Sequence, residues 1–582
     1  TTHAGSGHLT SCFSCAEIIS TLFFDVMSWD IHNPKNPDND EFILSKGHAA
    51  PILYSALYRA KAIKHDLSKL RDINSPLEGH PMPKTLHQIK VATGSLGQGL
   101  SIGIGMAMAA KLNKRKYKTY VLIGDSEVSE GNVWEAFQLA SYYKLDNLCA
   151  IIDANRLGQR GETMLGHDVK TYKKRISSFG WNTIIIDGHN INQIQKALAK
   201  IKKTNKPLAI IAKTFKGKGV SFLENKENWH GKAMDYRHLH QALDEIPHSH
   251  MPNIKIKKPK TIKIKEKKQK LIKLNKYSIE DEIATREAYG KALANLALAN
   301  KNILVVDAEV SDSTKTGLAK EKTPNQFIEA FIAEQNLIAM ALGLSVKGFK
   351  PFASTFAAFL SRAHDQIRMA ALSNANFTIC GSHAGVSIGK DGASQMGLED
   401  ISIFRVLPNS NIFYPSDAVS TEKLVYLASK IKGINYIRTT RPKTQVIYNN
   451  NEQFFLGDFK ILKQSNKDKA VLVGAGITLH ECLKAQETLQ KKGKSTAVID
   501  IYCINPFNSK KFVNFVKKHG NKIIISEDHY QAGGIGEMLA ECLENTNIKI
   551  SHLFVKKIPH SGTTEQLLKK YEIDASAIVK AV

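Results

Sequence analysis

Asp125 and Asn155 stand thirty residues apart, and each follows an apolar run: "YVLIG" precedes the acid and "LCAIIDA" precedes the amide. Short apolar runs of this kind read as strands buried on both faces, as in parallel sheets. Side chains just beyond the carboxyl ends of parallel strands share one edge of the sheet, where ligands bind. A carboxylate oxygen and an amide oxygen brought together there suit one hard cation. Mg²⁺ fits, because it takes few protein ligands and completes its shell with phosphate oxygens. After Asp125 comes "EVSEGNVWEAFQLA", a turn opening a helix, and a helix N-terminus favours a diphosphate. The chemistry expected at this edge is capture of a metal–diphosphate. Asp and Asn are also ordinary strand-end caps, so the geometry alone leaves both readings open.

The elements that must position these residues repeat one scheme three times. From Thr1 to about His250, "TYVLIGD", "NLCAIID", "NTIIIDG" and "LAIIAKT" alternate with helical patterns. From about Tyr277 to Pro442 the strands are "NILVVDAE", "FTICGSH" and "NIFYPSD". From about Lys443 to Val582 they are "AVLVGAG", "STAVIDIY" and "KIIISED". The fold class expected is α/β: three consecutive α/β domains with mainly parallel sheets, over 1–250, 277–442 and 443–582. The length of 582 residues agrees, at roughly 150 residues per domain.

Between the first two regions, Met251 to Lys276 holds eleven lysines and one glutamate, so it supplies +10 of the net +26. A charge run between patterned regions reads as a solvated linker, 251–276. The remaining positive charge suits phosphorylated small molecules, and no nucleic-acid-binding signature is present. No run reaches the roughly 18–20 apolar residues that cross a bilayer, so no membrane partner is expected. No signal peptide is visible; the chain starts at Thr1 rather than Met, which is compatible with a native start and a targeting segment upstream. Seven scattered cysteines suit a reducing compartment, and the cytoplasm is the expected location. Cys12 and Cys15 form a C-x-x-C without a second pair, and read as small helix residues.

The pattern G-D-x(29)-N, with its flanking residues, is similar to the way thiamine diphosphate enzymes hold their cofactor. The wider chain resembles the transketolase family, in its animal-type branch. The resemblance rests on "GSGHLTSC", "LSKGHAAPILY", "GHPMPK", "VATGSLGQGL", "AKTFKGKG", "WHGK", "IAEQN", "STFAAFLSRAHDQIRMAA", "GSHAGVSIGKDGASQM", "FYPSD", "IRTTRP" and "EDHYQAGGIGE", in order along nearly the whole chain. It implies a diphosphate-binding domain, a pyrimidine-binding domain and a C-terminal domain. It also implies thiamine diphosphate with Mg²⁺ (Ca²⁺ or Mn²⁺ would also fit), phosphorylated sugar substrates, and a homodimer with active sites at the subunit interface.

The resemblance assigns roles residue by residue. Asp125, Asn155 and the Leu157 carbonyl would hold the metal. Ser11, His48, Gly94, Ser95, Leu96, Ser126, Asn155, Lys216, His230, Phe359 and Gln395 would bind the cofactor. Glu334 would be the acid that sets the tautomer of the pyrimidine ring, with His8 and His230 as further catalytic residues. Imidazole suits proton traffic near neutral pH. His8, His80, His230, Arg286, Ser313, His383, Asp391 and Arg441 would bind the sugar phosphate, Arg for its planar fork. Arg438 lies close enough in sequence to take the place of Arg441. Without the motifs, Glu334 would read as a helix N-terminal acid, Phe359 as core and each histidine as structural. Two residues depart from the pattern. Ser126 replaces a glycine, which would add a Cβ and a strained φ beside the diphosphate, and Leu9 replaces a proline. The family also carries a helical segment ahead of the first motif. The activity implied is transfer of a two-carbon ketol unit between sugar phosphates. The alternatives are a 1-deoxyxylulose-5-phosphate synthase and a non-catalytic transketolase-like binding protein.

Overall fold

Residues 1–246, 254–264 and 270–582 are described by the structure, a computed structural model. The boundary expected near residue 250 and part of the Lys-rich stretch fall outside them. The chain forms two compact units. The first comprises Thr1–Glu266, Ile338–Gly348 and Asp365–Asn374; the second comprises Lys267–Leu337, Phe349–His364 and Ala375–Val582.

The first unit is built on strands β1 (Glu41–Leu44), β2 (Thr119–Gly124), β3 (Leu148–Ala154), β4 (Asn182–Asp187) and β5 (Leu208–Lys213). They pair in the order β1-β2-β3-β5-β4, all parallel. Every residue of β2 and β3 is buried, which is why Tyr120–Ile123 and Leu148–Ile152 read as apolar runs. Gly124 pairs with Asp153, so Asp125 and Asn155 emerge together at the carboxyl edge.

In the second unit the strands are β6 (Glu282–Ala284), β7 (Ile303–Asp307), β8 (Phe327–Glu329), β9 (Lys350–Phe356), β10 (Phe377–Ser382), β11 (Ser410–Phe413) and β12 (Ile434–Arg438). They continue with β13 (Lys443–Gln445), β14 (Lys460–Lys463), β15 (Ala470–Gly474), β16 (Thr496–Asp500), β17 (Cys503–Asn505), β18 (Lys522–Ser526) and β19 (Lys549–Leu553). One sheet runs β17-β11-β12-β10-β9-β7-β8, another β14-β16-β15-β18-β19, and β6 pairs with β13. The single strand expected in "STAVIDIY" is in fact followed by a second. β16 lies in the five-stranded sheet, while β17 crosses to pair antiparallel with β11. The last two α/β regions are thereby joined through a shared strand.

The described part of the Lys-rich stretch, read as a solvated linker, is both solvated and anchored. Its described lysines are all exposed, as a solvated run requires, but its backbone is fastened. Trp29 N donates to Lys257 O at 2.8 Å and Ile262 N to Asp38 at 2.9 Å. Ile256 packs against the core of the first unit. Further on, Lys270 N donates to Ala299 O at 3.0 Å within the second unit. Among the described residues, no helix is long and apolar enough to cross a membrane.

Candidate active site

The first unit gathers one set of the residues at its strand ends. Asp125 is 4% exposed. Its carboxylate accepts the backbone N–H of Ser126 at 2.9 Å and of Arg156 at 2.7 Å. Burial, reinforced by the nearby charge of Asp153, pushes its pKa up to about 6. Asn155 Oδ1 accepts from Leu157 N at 3.2 Å, and the Leu157 carbonyl accepts from Lys216 Nζ at 2.9 Å. A buried carboxylate, an amide oxygen and a carbonyl oxygen form a hard-oxygen donor set. Among the described residues, no group of three or more His, Cys, Asp or Glu could hold a metal, so a cation at this edge would need that mixed set. Behind it, Lys46 pairs with Asp153, which also accepts from Ser14 at 2.6 Å. Burial opposes the charged Asp153, yet Lys46 outweighs it and holds the carboxyl below its usual range.

Four of the expected histidines converge. The ring centroids of His8 lie 5.1 Å from His48, 4.9 Å from His230 and 6.3 Å from His80, and His48 is 5.2 Å from His230. Burial, with Arg71, lowers His8 to about 4; burial, with Lys216, lowers His230 to about 3. Burial, with Lys46, puts His48 well below its ordinary value, and burial with Arg71 lowers His80. All four are therefore neutral imidazoles near pH 7, each with one donor and one acceptor nitrogen. Lys216 lies 2.7 Å from His230 Nδ1. An ammonium only donates, so that nitrogen accepts and Nε2 carries the proton. Burial, with Lys46, lowers Lys216 to about 8.

The smaller contributors differ in how far they are engaged. Gly94 has φ +131°, and a Cβ there would stand 2.8 Å from His80 Cδ2, so only glycine lets the imidazole lie against this backbone. Ser11 Oγ is buried with no hydrogen-bond partner. The Ser95 hydroxyl donates to Asp365, which also accepts from Gln98 at 2.6 Å; Leu96 is half-buried beside it. Ser126 departs from expectation in its backbone alone. Its φ of −64° and ψ of −36° are right-handed helical, and its side chain is exposed, so the strain expected from the Gly-to-Ser change is absent. The helix after Asp125 also starts late: a 3₁₀ turn, Glu127–Ser129, comes first, and the α-helix begins at Gly131.

The second unit gathers the other set. Glu334, 2% exposed, opens the helix Glu334–Val346 and pairs with Arg362 at 2.6 Å. Arg362 shares the turn Ala358–Ala363 with Phe359. Phe359 lies parallel to Phe356 at 5.1 Å, and Phe356 stacks on His383 at 4.0 Å. Gln395 reaches its neighbour Ser394 at 3.5 Å. Arg286 donates to the Ser313 carbonyl at 3.0 Å, while its Nε is buried without a partner. Arg441 pairs with Asp391 at 2.9 Å. Burial, with the charges of Arg286 and Arg441, lowers His383 to about 4. Two arginines that bear on one imidazole, one of them with a spare buried donor, suit a phosphate dianion. Arg438 does not take the place of Arg441: it is fully buried and bonded to Asp400 at 2.7 Å and to the carbonyls of Gly397 and Asp528.

Three family models match the chain in series: the transketolase thiamine diphosphate binding domain over 1–298, the pyrimidine binding domain over 281–446 and the C-terminal domain over 457–578. The chain belongs to the transketolase family. It is 47% identical over 600 residues to transketolase of Homo sapiens, covering 100% of this chain and 94% of that protein. Human transketolase-like protein 2 is 44% identical over 589 residues, with coverages of 100% and 94%. The fold is similar to the crystal structure of transketolase from Campylobacter jejuni, with a TM-score of 0.85, 25% identity and coverages of 99% and 96%.

Sequence reasoning missed several residues of this transketolase-family site. Lys46 and Asp153 underlie the strand-end edge at Asp125 and Asn155. Glu127 is buried and accepts from Gly97 N at 2.9 Å and Gly124 N at 3.0 Å, joining two motif loops. Asp365 holds Ser95, and Arg362 holds Glu334. Lys46, Arg362 and Asp365 stand inside the quoted motifs, and Glu127 and Asp153 within the span of the G-D-x(29)-N pattern; what a motif hides is which distant residue each one meets.

Proposed function

We infer that the chain is an active transketolase, dependent on thiamine diphosphate and Mg²⁺. It would move a two-carbon ketol unit from a ketose phosphate (xylulose 5-phosphate, sedoheptulose 7-phosphate) to an aldose phosphate (ribose 5-phosphate, erythrose 4-phosphate, glyceraldehyde 3-phosphate). This is the chemistry of the non-oxidative pentose phosphate pathway. Its work would be done in the cytoplasm, a setting in keeping with seven free cysteines, six of them buried. As the family resemblance implies, it would act as a homodimer with active sites at the subunit interface. The observation that carries the reading is the strand-end set. A buried Asp125 carboxylate, whose pKa burial pushes up, stands with the Asn155 and Leu157 oxygens beside four neutral imidazoles.

Bound thiamine diphosphate would supply a nucleophilic carbon and an electron sink for the two-carbon unit. Asp125, Asn155 and the Leu157 carbonyl would hold the divalent cation against its phosphates, with Ser11, Ser126 and Lys216 close by. Gly94, Ser95, Leu96, Phe359 and Gln395 would shape the cofactor's seat. Glu334 would hold a proton at the pyrimidine ring, and its bond to Arg362 would open or be shared to allow this. His8, His48, His80 and His230 would donate to and accept from sugar hydroxyls, because neutral imidazoles can do both. Arg286, Ser313, His383 and Arg441 would grip the sugar phosphate, and Asp391 would read a hydroxyl.

Proteins named transketolase-like align over the same length, so turnover itself must be measured. Purified chain with thiamine diphosphate and Mg²⁺ should convert xylulose 5-phosphate and ribose 5-phosphate to sedoheptulose 7-phosphate and glyceraldehyde 3-phosphate. Absence of product in a folded, cofactor-loaded protein would overturn the reading, and turnover of pyruvate would favour the synthase alternative.

A further inference from the structure

The residues proposed to read the sugar in the second unit hang on one loop. It leaves β10 at His383, which has φ +57°, and runs past Asp391 to Gly397. The loop is punctuated by glycines with positive φ at 385, 389 and 392. Its only regular turns are short 3₁₀ pieces, Val386–Ile388 and Ala393–Gln395. By composition it should be free to move. It is instead held from behind, largely by residues of the C-terminal domain matched over 457–578.

Asp528 makes the central contact. It is 1% exposed, and its carboxylate accepts the backbone N–H of Val386 at 2.7 Å and of Ser387 at 3.4 Å. A Cβ at Gly385 would stand 2.0 Å from Asp528 Oδ2, so glycine there is what lets the carboxylate reach the chain. Thr564 donates to the Ser387 carbonyl at 2.8 Å, and Tyr530 N donates to Leu398 O at 3.1 Å. Beneath the loop, Val386, Ile388, Met396 and Leu398 pack in one apolar cluster with C-terminal residues that include Val555 and Leu567. Arg438 ties the same parts together through the carbonyls of Gly397 and Asp528, at 3.0 and 2.8 Å.

We propose that the C-terminal domain is the seat of the sugar-reading loop, with Asp528 as the positioning residue that fixes Val386 and Ser387 and, through them, His383 and Asp391. The claim rests on the functional reading above for the roles of His383 and Asp391. It gives the third domain a part in substrate recognition although Asp528 need touch neither sugar nor cofactor. The bond from Val386 N, at 2.7 Å, has the length of a strong charge-assisted hydrogen bond, and the one from Ser387 N, at 3.4 Å, is weaker; glycines leave the loop's own backbone little stiffness to add.

The test uses the full chain and its Asp528→Asn variant, which keeps the side-chain shape. Three quantities are read: KM for xylulose 5-phosphate, affinity for thiamine diphosphate, and amide hydrogen exchange of the 384–397 segment. KM should rise roughly ten-fold and exchange at Val386 and Ser387 should quicken by a similar factor, with cofactor affinity falling much less, since Gln395 alone of the proposed cofactor contacts stands on this loop. Thr564→Val should give the same pattern to a lesser degree, and it carries the test if Asp528→Asn does not fold. Unchanged KM and exchange in a folded variant would overturn the proposal. So would an equal loss of sugar and cofactor binding, since that is what general loosening gives. A wild-type chain without turnover would sink the functional reading alone, and exchange would still judge the positioning role.

Discussion

In the first unit the chemistry sits on strand ends. Asp125 and Asn155 follow β2 and β3, both are 4% exposed, and their neighbours are buried charges already paired, such as Lys46 with Asp153. In the second unit much of it hangs on a loop. There Arg441 and Asp391 form an ion pair with side chains 42% and 40% exposed. An exposed pair of this kind is worth only about 0–1 kcal/mol, so the sugar phosphate proposed to bind there would take Arg441 from Asp391 at little cost. A buried charge cannot change partner so cheaply. The contrast is between a fixed frame and a replaceable ion pair, and it does not divide cofactor from sugar: His8, His80 and His230 of the first unit are proposed to meet the sugar, and Glu334, Phe359 and Gln395 of the second the cofactor.

The largest expected effect falls on the buried acid. Glu334→Ala should lower kcat by about 10²–10⁴-fold, the range for a lost proton-transfer group, while the folded protein still binds thiamine diphosphate. Near wild-type turnover in a cofactor-loaded variant would show that the acid is only a helix-start residue. On the replaceable side, Arg286→Ala or Arg441→Ala should raise KM for phosphorylated sugars about ten- to a hundred-fold, from contacts of ~1.5–3 kcal/mol each. KM for an unphosphorylated ketose should move much less. Equal losses on both would make the arginines structural and erase the contrast.

A smaller effect should appear in the pH dependence of stability. Folding lowers His383 from its ordinary 6.5 to about 4, through burial and the two arginines. Between those values the unfolded chain binds a proton that the folded chain refuses. The stability lost as pH falls from about 6.5 is therefore complete near pH 4, and His383→Gln should show a shallower decline in urea unfolding over that window. An unchanged slope would mean that His383 is not held neutral. The smallest effect belongs to Ser126. With an unstrained φ of −64° and an exposed side chain, Ser126→Gly should leave cofactor affinity within about three-fold, well below the 1–3 kcal/mol of a strained residue. A large gain in affinity would restore the strain expected from sequence.

Much of this frame is legible in the amino-acid sequence. The buried strands β2 and β3 stand out by their apolar runs, Tyr120–Ile123 and Leu148–Ile152, and their polar ends follow. Shorter or more polar strands do not: β9 contains Pro351, and β17 has three residues shortly after β16. The family motifs locate nearly every candidate residue but not its partner. Lys46 meets Asp153 across 107 residues and Asp528 meets Val386 across 142, and no local pattern encodes a pairing at such separation. The Lys-rich stretch shows the converse. Its composition correctly places the lysines in water, yet backbone hydrogen bonds leave no trace in composition.

The proposed homodimer, with active sites at the subunit interface, makes one direct demand on residues of the two sets. Co-expressing Asp125→Ala and Glu334→Ala chains under different tags tests it directly, since each variant alone should be nearly inactive. If each site takes its metal-side half from one subunit and Glu334 from the other, each mixed dimer has one intact site. Random pairing should then restore about a quarter of wild-type turnover, because half of the dimers are mixed. Turnover no higher than that of either variant alone, in verified mixed dimers, would contradict the account.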